Sequence, residues 1–295
     1  MMCKICGSED CSVIYNDVIR NGGIGVYTKN AVPMYCCNNC RVIWHENVIE
    51  DTEEYYESQE YRASVDGNSE AERFYQLHDK ETLDKLNYTG TTIFRGKTVA
   101  DIGCGAGAFL DYINGVADKI IAVEPSSFFR EVMNKKGFTT YPYASDAIKD
   151  YKGKVDVVTS FDVIEHVEDP EAFLKDIYNL LSDNGSAIVA TPTDAPVMRE
   201  LIGTHYEKQV LYSVQHLWIF SQASLKLLAE KCGFKKIEVK TYQRYGIDNL
   251  FGWLINKKPL ASAQSSIITQ TMNNVWKTQC CDSDLGDYVV MYLEK

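Results

Sequence analysis

The sequence predicts an α/β protein built on a doubly wound, Rossmann-like sheet, with a small ribbon at its N-terminus and a helical cap inserted near its C-terminus. Three observations predict this. From residue 97, short β-rich runs alternate with helical stretches, the signature of a largely parallel sheet covered on both faces. A glycine-rich loop closes the first of those runs, where such a sheet opens its binding crevice. Six of the ten cysteines fall in the first 40 residues, too tight a cluster to belong to the sheet.

Cys3-Lys-Ile-Cys6 and Cys37-Asn-Asn-Cys40 form two C-x2-C knuckles separated by 30 residues. Two tight turns at that spacing each offer two thiolates to one tetrahedral ion, and zinc accepts four sulfurs without redox chemistry. A closed four-cysteine site has no open position, so it is expected to staple residues 1–47 rather than to catalyse. Cys11 and Cys36 stand near enough in the chain to offer a different ligand set. Between the knuckles, β-like segments flank the Asn21-Gly22-Gly23 turn and complete a zinc-ribbon-like module.

Residues 48–94 read as a helical bridge and substrate-side lid, with Phe74, Leu77, Leu83 and Leu86 at helical intervals. Tyr55, Tyr56, Tyr61, Tyr75 and His78 either line a substrate mouth or pack. Residues 95–295 supply the sheet: KTVADIG, a helix near 108–114, KIIAVE, a helix near 126–135, a strand near 138–141, VDVVTS, a helix near 170–181 and SAIVATP. Asp169 caps the last of these helices, Pro170 fits its first position, and Phe173, Leu174, Ile177, Leu180 and Leu181 make its apolar face, with Gly185 expected to end it. SQASLKLLAEKCGF reads as a further helix, and KKIEVKTY and DYVVMYL as further strands. The interval 242–286 is too long for a hairpin, so cap helices are expected near 249–255 and 265–276.

Composition excludes several classes. Hydrophobic residues make up 45% of the 295, with only 7 Pro and 19 Gly, which is neither a disordered nor a fibrous chain. No apolar run approaches the ~20 residues that cross a bilayer, and the N-terminus lacks the basic flank and apolar core of a secretory signal, so a cytoplasmic location is expected. The 30 Lys and Arg against 41 Asp and Glu leave a formal charge of -11, which repels a phosphate backbone and argues against general nucleic-acid binding. A small-molecule partner is expected, and the oligomeric state is open.

The chemistry gathers at Asp101-Ile102-Gly103-Cys104-Gly105-Ala106-Gly107-Ala108. Gly103, Gly105 and Ala108 also satisfy the dinucleotide pattern. Asp101 argues against a nearby pyrophosphate, and a carboxylate there can organise the ammonium end of S-adenosylmethionine. Glu124, ending KIIAVE, can accept hydrogen bonds from both ribose hydroxyls. Ser160, Phe161 and Asp162 are expected at the opposite cofactor edge, with Glu165-His166 in the next loop.

These residues, with FDVIEHVEDP and LLSDNGSAIVATP, resemble a class I S-adenosylmethionine-dependent methyltransferase over roughly residues 95 to 241. The resemblance implies donor binding by Asp101, Gly103, Cys104, Gly105, Glu124, Pro125, Ser160, Phe161 and His166, with adenine near Ser145, Asp146 and Ala147. With the knuckles added, the chain resembles bacterial sugar methyltransferases that carry a zinc-binding N-terminal domain. The chain is shorter than the three-part carbon-methylating members, which favours O-methylation over C-methylation. QRYGIDNLFGWLINKKP is similar to a segment of methyltransferases of surface-polysaccharide synthesis. A nucleotide-linked or polysaccharide sugar is therefore the expected acceptor.

His216 is the first candidate base, because unperturbed histidine accepts a proton near neutral pH and an apolar wall, Leu217 to Phe220, follows it. His205 and Tyr206 are the other catalytic candidates. The resembled enzymes carry an acidic residue before the histidine where this chain has Gln215, so a carboxylate-assisted base is not implied. Tyr75, His78, Arg244, Tyr245, Asn249 and Trp253 are the substrate-side candidates, and Arg244, Lys257 and Lys258 can meet a phosphate. RNA or protein methylation with the ribbon as a docking module, or a catalytically silent donor-binding protein, are the competing readings.

Overall fold

The computed structural model describes residues 1–49, 52–58, 71–258 and 267–295. Tyr61 and the stretch 259–266 of the expected cap lie outside them. Chain contacts divide the protein into two units: Met1–Glu46, Thr191–Leu225 and Val239–Val290 form one, and Asn47–Ala190, Lys226–Glu238 and Met291–Lys295 the other.

The first unit opens with β1 (Cys11–Asp17), β2 (Val32–Cys37) and β3 (Ile43–Trp44). β1 pairs antiparallel with β2, Cys11 opposite Cys37, and β2 pairs with β3. The ribbon does not end there, because β9 (Trp218–Ile219) adds a fourth strand, Ile43 opposite Ile219 and Trp44 opposite Trp218. Tyr15, Ile19, Val32, Met34, Cys36 and Ile43 share one buried cluster with Leu211, Tyr212, Val214 and Ile219.

The second unit begins with helices α1 (Thr52–Glu57) and α2 (Ala71–Thr89). The strands that follow are β4 (Thr98–Ile102), β5 (Lys119–Val123), β6 (Thr139–Tyr141), β7 (Val155–Phe161) and β8 (Leu181–Pro192). Helices α3 (Ala108–Ile113), α4 (Ser127–Lys135), α5 (Ala144–Tyr151) and α6 (Pro170–Leu180) alternate with them. β4 pairs in parallel with β5 and β7, β5 with β6, and β7 with β8. β4, β5 and β7 are buried along almost their whole length, as parallel strands covered on both faces require.

In the first unit, α7 (Pro196–Ile202) leads into a helical turn at Thr204–Tyr206 and a π turn at Glu207–Leu211. Beyond β9 lie α8 (Gln222–Cys232), β10 (Lys236–Tyr242), α9 (Ile247–Asn256), α10 (Gln270–Asp282) and β11 (Tyr288–Glu294). The seven-stranded sheet has the order β10-β11-β8-β7-β4-β5-β6, so the last strand of the chain is inserted between β8 and β10. The doubly wound expectation holds.

Local signals placed most elements well. Asp169 caps α6 by accepting from the backbone N–H groups of Glu171 at 3.0 Å and Ala172 at 2.9 Å, with Pro170 at the first position. Three details differ. Gly185 does not end α6, whose cap is Leu181. It lies inside β8, where a Cβ would stand 2.9 Å from the Val155 carbonyl oxygen. The second cap helix starts at Gln270 rather than near 265, because Thr269 caps it through the Met272 N–H. Helices α5 and α7 were not expected. Among the described residues, no helix is long and apolar enough to cross a membrane.

Candidate functional site

In the sheet unit, the polar groups gather at the carboxyl ends of β4, β5 and β7. Asp101 is 2% exposed at the end of β4 and accepts the Thr159 hydroxyl at 2.7 Å. Burial raises its carboxyl to about 7, the Glu124 charge adds to that, and the Thr159 hydroxyl and Lys85 pull it back. Lys85 projects from α2 with its ammonium 5.1 Å from the centroid of the Phe161 ring.

Two glycines make the turn after β4 possible. Gly103 has φ +78°, and a Cβ there would fall 2.2 Å from Val163 Cγ2. Gly105 has φ +57°, and a Cβ would fall 2.3 Å from Phe74 Cζ. Only a residue without a side chain fits either position. The ring that crowds Gly105 belongs to α2. Phe74 packs on Phe129 with ring centroids 5.2 Å apart and on His78 at 4.2 Å. Tyr75 donates its hydroxyl to the Ala106 carbonyl at 2.9 Å.

Glu124 is the best-organised candidate. Its carboxylate is buried, with one oxygen accepting from the Gly105 N–H at 2.9 Å and the other from the Ser126 N–H at 3.0 Å. Each oxygen has a second lone pair, so a held carboxylate can still accept two hydroxyls. Pro125 follows it, half-buried, and its carbonyl and that of Glu124 receive the Arg130 guanidinium. Ser160 donates to the Ile102 carbonyl at 3.0 Å. Phe161 packs edge-on to Phe109 at 5.0 Å.

Other candidates in this unit are placed more loosely. The Cys104 thiol turns to the Val123 carbonyl and Met133 sulfur, each at 3.4 Å, and burial pushes it well above the ordinary thiol range. Any contact of Cys104 with a ligand is therefore through its backbone. Ser145 is exposed in the first turn of α5, and Asp146 pairs with Lys149 at 2.7 Å. His166 meets the Tyr56 hydroxyl at 3.3 Å through Nδ1. Tyr75 and His78, offered as substrate-side residues, belong to this unit and pack on the glycine loop or pair with Glu81.

The other unit collects the remaining candidates. Tyr206 packs edge-on to Trp253, with ring centroids 5.4 Å apart, and His205 lies 6.0 Å from the same indole. Burial first, and then the Asp287 carboxylate, push the Tyr206 hydroxyl far above the usual phenol range, with Arg244 opposing. A phenol held so firmly protonated is a hydrogen-bond donor rather than a base. The His205 Nε2 donates to the Lys257 carbonyl at 2.6 Å, since a carbonyl oxygen only accepts. His216 is half-buried, its N–H donating to the Ser213 carbonyl and hydroxyl, each at 3.2 Å.

Asp287 organises this group, and the sequence reading missed it. It accepts from the Arg244 backbone N–H at 3.0 Å, from Arg244 Nε at 3.4 Å and from Gln243 Nε2 at 3.1 Å. Arg244 is thereby held with its guanidinium 4.3 Å from the Tyr288 ring and 5.4 Å from the Tyr245 ring. The Asn249 N–H donates to Asp248 at 2.8 Å, at the start of α9. A signal was present, since Asp287 stands at the head of an apolar run as Asp101 stands at the foot of one. Arg199, between Asp194 and Glu207 at 2.9 Å each, was also missed.

The cysteine cluster is in this unit too. The sulfurs of Cys3, Cys6, Cys37 and Cys40 all lie within 4.8 Å of one another. Cys3 and Cys40 are 3.7 Å apart and Cys6 and Cys37 3.5 Å, close to the ~3.8 Å edge of a tetrahedron with ~2.3 Å metal–sulfur bonds. The donor set and its spacing fit one four-coordinate ion.

A family model described as "Methyltransferase domain" matches residues 70–239. The ubiquinone biosynthesis O-methyltransferase of Schizosaccharomyces pombe is 30% identical over 137 residues, 43% of this chain and 48% of that protein. The tRNA U34 carboxymethyltransferase of Aeromonas salmonicida is 27% identical over 176 residues, 55% of this chain and 52% of that protein. This chain therefore spans about half the length of these two curated relatives. Among solved structures, a possible histamine N-methyltransferase of Thermotoga maritima aligns with TM-score 0.51 and 23% identity over 76% of this chain and 93% of its own. A phosphoethanolamine N-methyltransferase of Haemonchus contortus aligns with TM-score 0.52 and 14% identity over 96% of this chain and 71% of its own. At these identities the structural matches speak for the fold.

Proposed function

The chain belongs to the methyltransferase domain family, and from that premise we propose that it transfers the methyl group of S-adenosylmethionine to an oxygen of a small acceptor. The observation that carries the donor assignment is Glu124, a buried carboxylate fixed by two backbone N–H groups beside a loop that tolerates no side chain at Gly103 or Gly105. In this reading Glu124 holds the ribose hydroxyls, Asp101 faces the cationic end of the donor, and Ser145 and Asp146 lie towards the adenine. The donor supplies an electrophilic methyl carbon, and the chain's own residues orient the donor, exclude water and manage the acceptor proton.

On the acceptor side, we assign Arg244 to an anionic or hydroxyl-rich group, Tyr245 to its apolar face, and Tyr206 to hydrogen-bond donation, with Trp253, 2% exposed, packing behind Tyr206 and His205. His216 takes the acceptor proton, with His205 Nδ1 the other basic candidate. The relative named for ubiquinone biosynthesis supports oxygen methylation of a small molecule. The sugar acceptor rests on the resemblance alone. The tRNA-modifying relative favours the RNA alternative over it, and supports a second reading in which RNA is methylated and the ribbon docks it. Incubation with methyl-labelled S-adenosylmethionine and, separately, a panel of hydroxylated quinols, nucleotide-linked sugars and bulk tRNA tests the assignment. Label in a small molecule supports the first reading, label in tRNA replaces it with the second, and no label anywhere removes both.

Asp101 gives this reading a pH dependence. Its folded-state carboxyl, raised to about 7, binds a proton that the unfolded chain has released, so its contribution to stability falls as pH rises from ~4 to ~7. A cationic donor favours the ionised form. Donor affinity is therefore expected to rise with pH up to ~7, by up to about tenfold per pH unit on the steep limb, and to level off between ~7 and ~8. Calorimetric titration with S-adenosylmethionine across that range checks it, and Asp101→Asn, which keeps the Thr159 bond, should flatten the profile.

We assign zinc to the four cysteines. Purified protein is expected to carry one zinc per chain, and Cys40→Ser to lose it, by elemental analysis. Retention of stoichiometric zinc in that variant would discard this ligand set.

A further inference from the structure

We infer that the four-cysteine staple is a positioning device for the segment Glu207–Ser221, acting through His45, Arg20 and Ser221, so that the ribbon sets the place of His216. This inference rests on the assignment of His216 to the acceptor side. The ribbon grips that segment along most of its length. Lys208 pairs with Asp17 at 2.8 Å. The Arg20 N–H donates to the Tyr212 carbonyl at 3.0 Å, and the Val214 N–H returns to the Arg20 carbonyl at 2.9 Å. Tyr15 and Tyr212 are in ring contact at 4.8 Å.

His45 makes the most specific tie. Its ring is 3% exposed, with Nδ1 2.7 Å from the Glu46 carbonyl and Nε2 3.1 Å from the Ser213 carbonyl. Its backbone N–H donates to the Leu217 carbonyl at 3.3 Å. His45 thus reaches the chain on both sides of His216, by its backbone N–H at Leu217 and by its ring at Ser213. Immediately beyond, β3 pairs with β9.

The ligand residues themselves complete the connection. Ser221 donates its hydroxyl at 2.7 Å to the carbonyl of Cys40. Cys36, adjacent to ligand Cys37, is buried in the same apolar cluster as Leu211 and Val214. The metal fixes the two knuckles against each other, and the strands that leave them carry the groups that hold residues 207–221. Loss of the ion frees the start of β1 and the end of β2 from one another, and the bonds to Tyr212, Ser213 and Ser221 lose their common frame.

The test is hydrogen exchange read by mass spectrometry on the full chain, as purified and after zinc removal by a chelator, with S-adenosylhomocysteine titrated into both. Peptides covering 207–221 are expected to exchange at least tenfold faster in the zinc-free protein, together with those covering 11–44. The β4 peptide should keep its protection, and S-adenosylhomocysteine affinity should stay within about threefold. His45→Phe, which leaves all four cysteines, is expected to keep its zinc and to lose protection selectively at 213–217, with His45→Gln restoring part of it through an amide donor to Ser213. Unchanged exchange at 207–221 without zinc would overturn the inference. So would global loss of protection with loss of ligand affinity, since the staple would then serve the whole fold. If the zinc-bound protein binds no S-adenosylhomocysteine, the proposed function falls, while the exchange pattern still decides the positioning role.

Discussion

Glu124→Gln is expected to lower affinity for S-adenosylmethionine by about 100-fold or more, with the sheet intact. Both carboxylate oxygens accept backbone N–H groups, from Gly105 and Ser126. An amide offers one oxygen and one NH2, so whichever way it turns, one backbone donor faces another donor. The variant therefore loses a charge-assisted bond that shapes the glycine loop and also the acceptor for one ribose hydroxyl. Each is worth roughly 1.5–3 kcal/mol when charged and buried, and together they exceed the ~2.7 kcal/mol of a 100-fold change. Calorimetric titration with S-adenosylhomocysteine reads the loss, and far-UV circular dichroism checks the fold. An affinity within threefold of wild type would remove Glu124 from the donor site.

Gly105→Ala is expected to have the next largest effect, and its partner identifies the cause. The left-handed φ of +57° costs an alanine ~1–2 kcal/mol. The greater penalty is steric, because the new methyl would lie 2.3 Å from Phe74 Cζ. That ring cannot turn away cheaply, held as it is between Phe129 and His78. The predicted outcome is release of α2 from the loop, seen as faster proteolysis within residues 71–89 and at least tenfold weaker donor binding. In the double variant Gly105→Ala/Phe74→Ala the clash is absent and only the backbone strain remains. Its donor affinity should recover relative to Gly105→Ala alone. If the double variant is worse than Gly105→Ala, the steric account is wrong.

The polar cluster at the carboxyl ends of the strands was readable from sequence because its signals are local. Asp101, Gly103, Gly105 and Glu124 sit at or just beyond strand ends that the sequence pattern marks, and the turn leaves no room for a side chain at Gly103 or Gly105. The cysteine knuckles were readable for a similar reason, since each is a four-residue turn. What escaped depends on partners far apart in the chain. Nothing in Ile43-Trp44 or Trp218-Ile219 says that these dipeptides pair, because two residues carry no periodicity. The burial of Asp287 and its grip on Arg244 likewise arise only when residues 243–244 and 287 are brought together. Tyr75 and His78 were open in the sequence between a substrate mouth and packing, and the helix that carries them turns them towards the glycine loop and Glu81.

The pairing of β3 with β9 also bears on how the chain is made. A ribosome delivers the cysteine knuckles before the sheet, and their four thiols are open to a metal ion while the sheet is still being synthesised. Trp44 must nevertheless wait for Trp218, with the strands β4 to β8 emerging in between. Until then the ribbon presents an open strand edge, the kind of surface that recruits other chains. Closing so long a loop is entropically slow, although its cost grows only with the logarithm of its length. A fragment ending before residue 218 should consequently be prone to aggregation even when fully metallated, and a fragment beginning at residue 95 should carry β9 as an orphan.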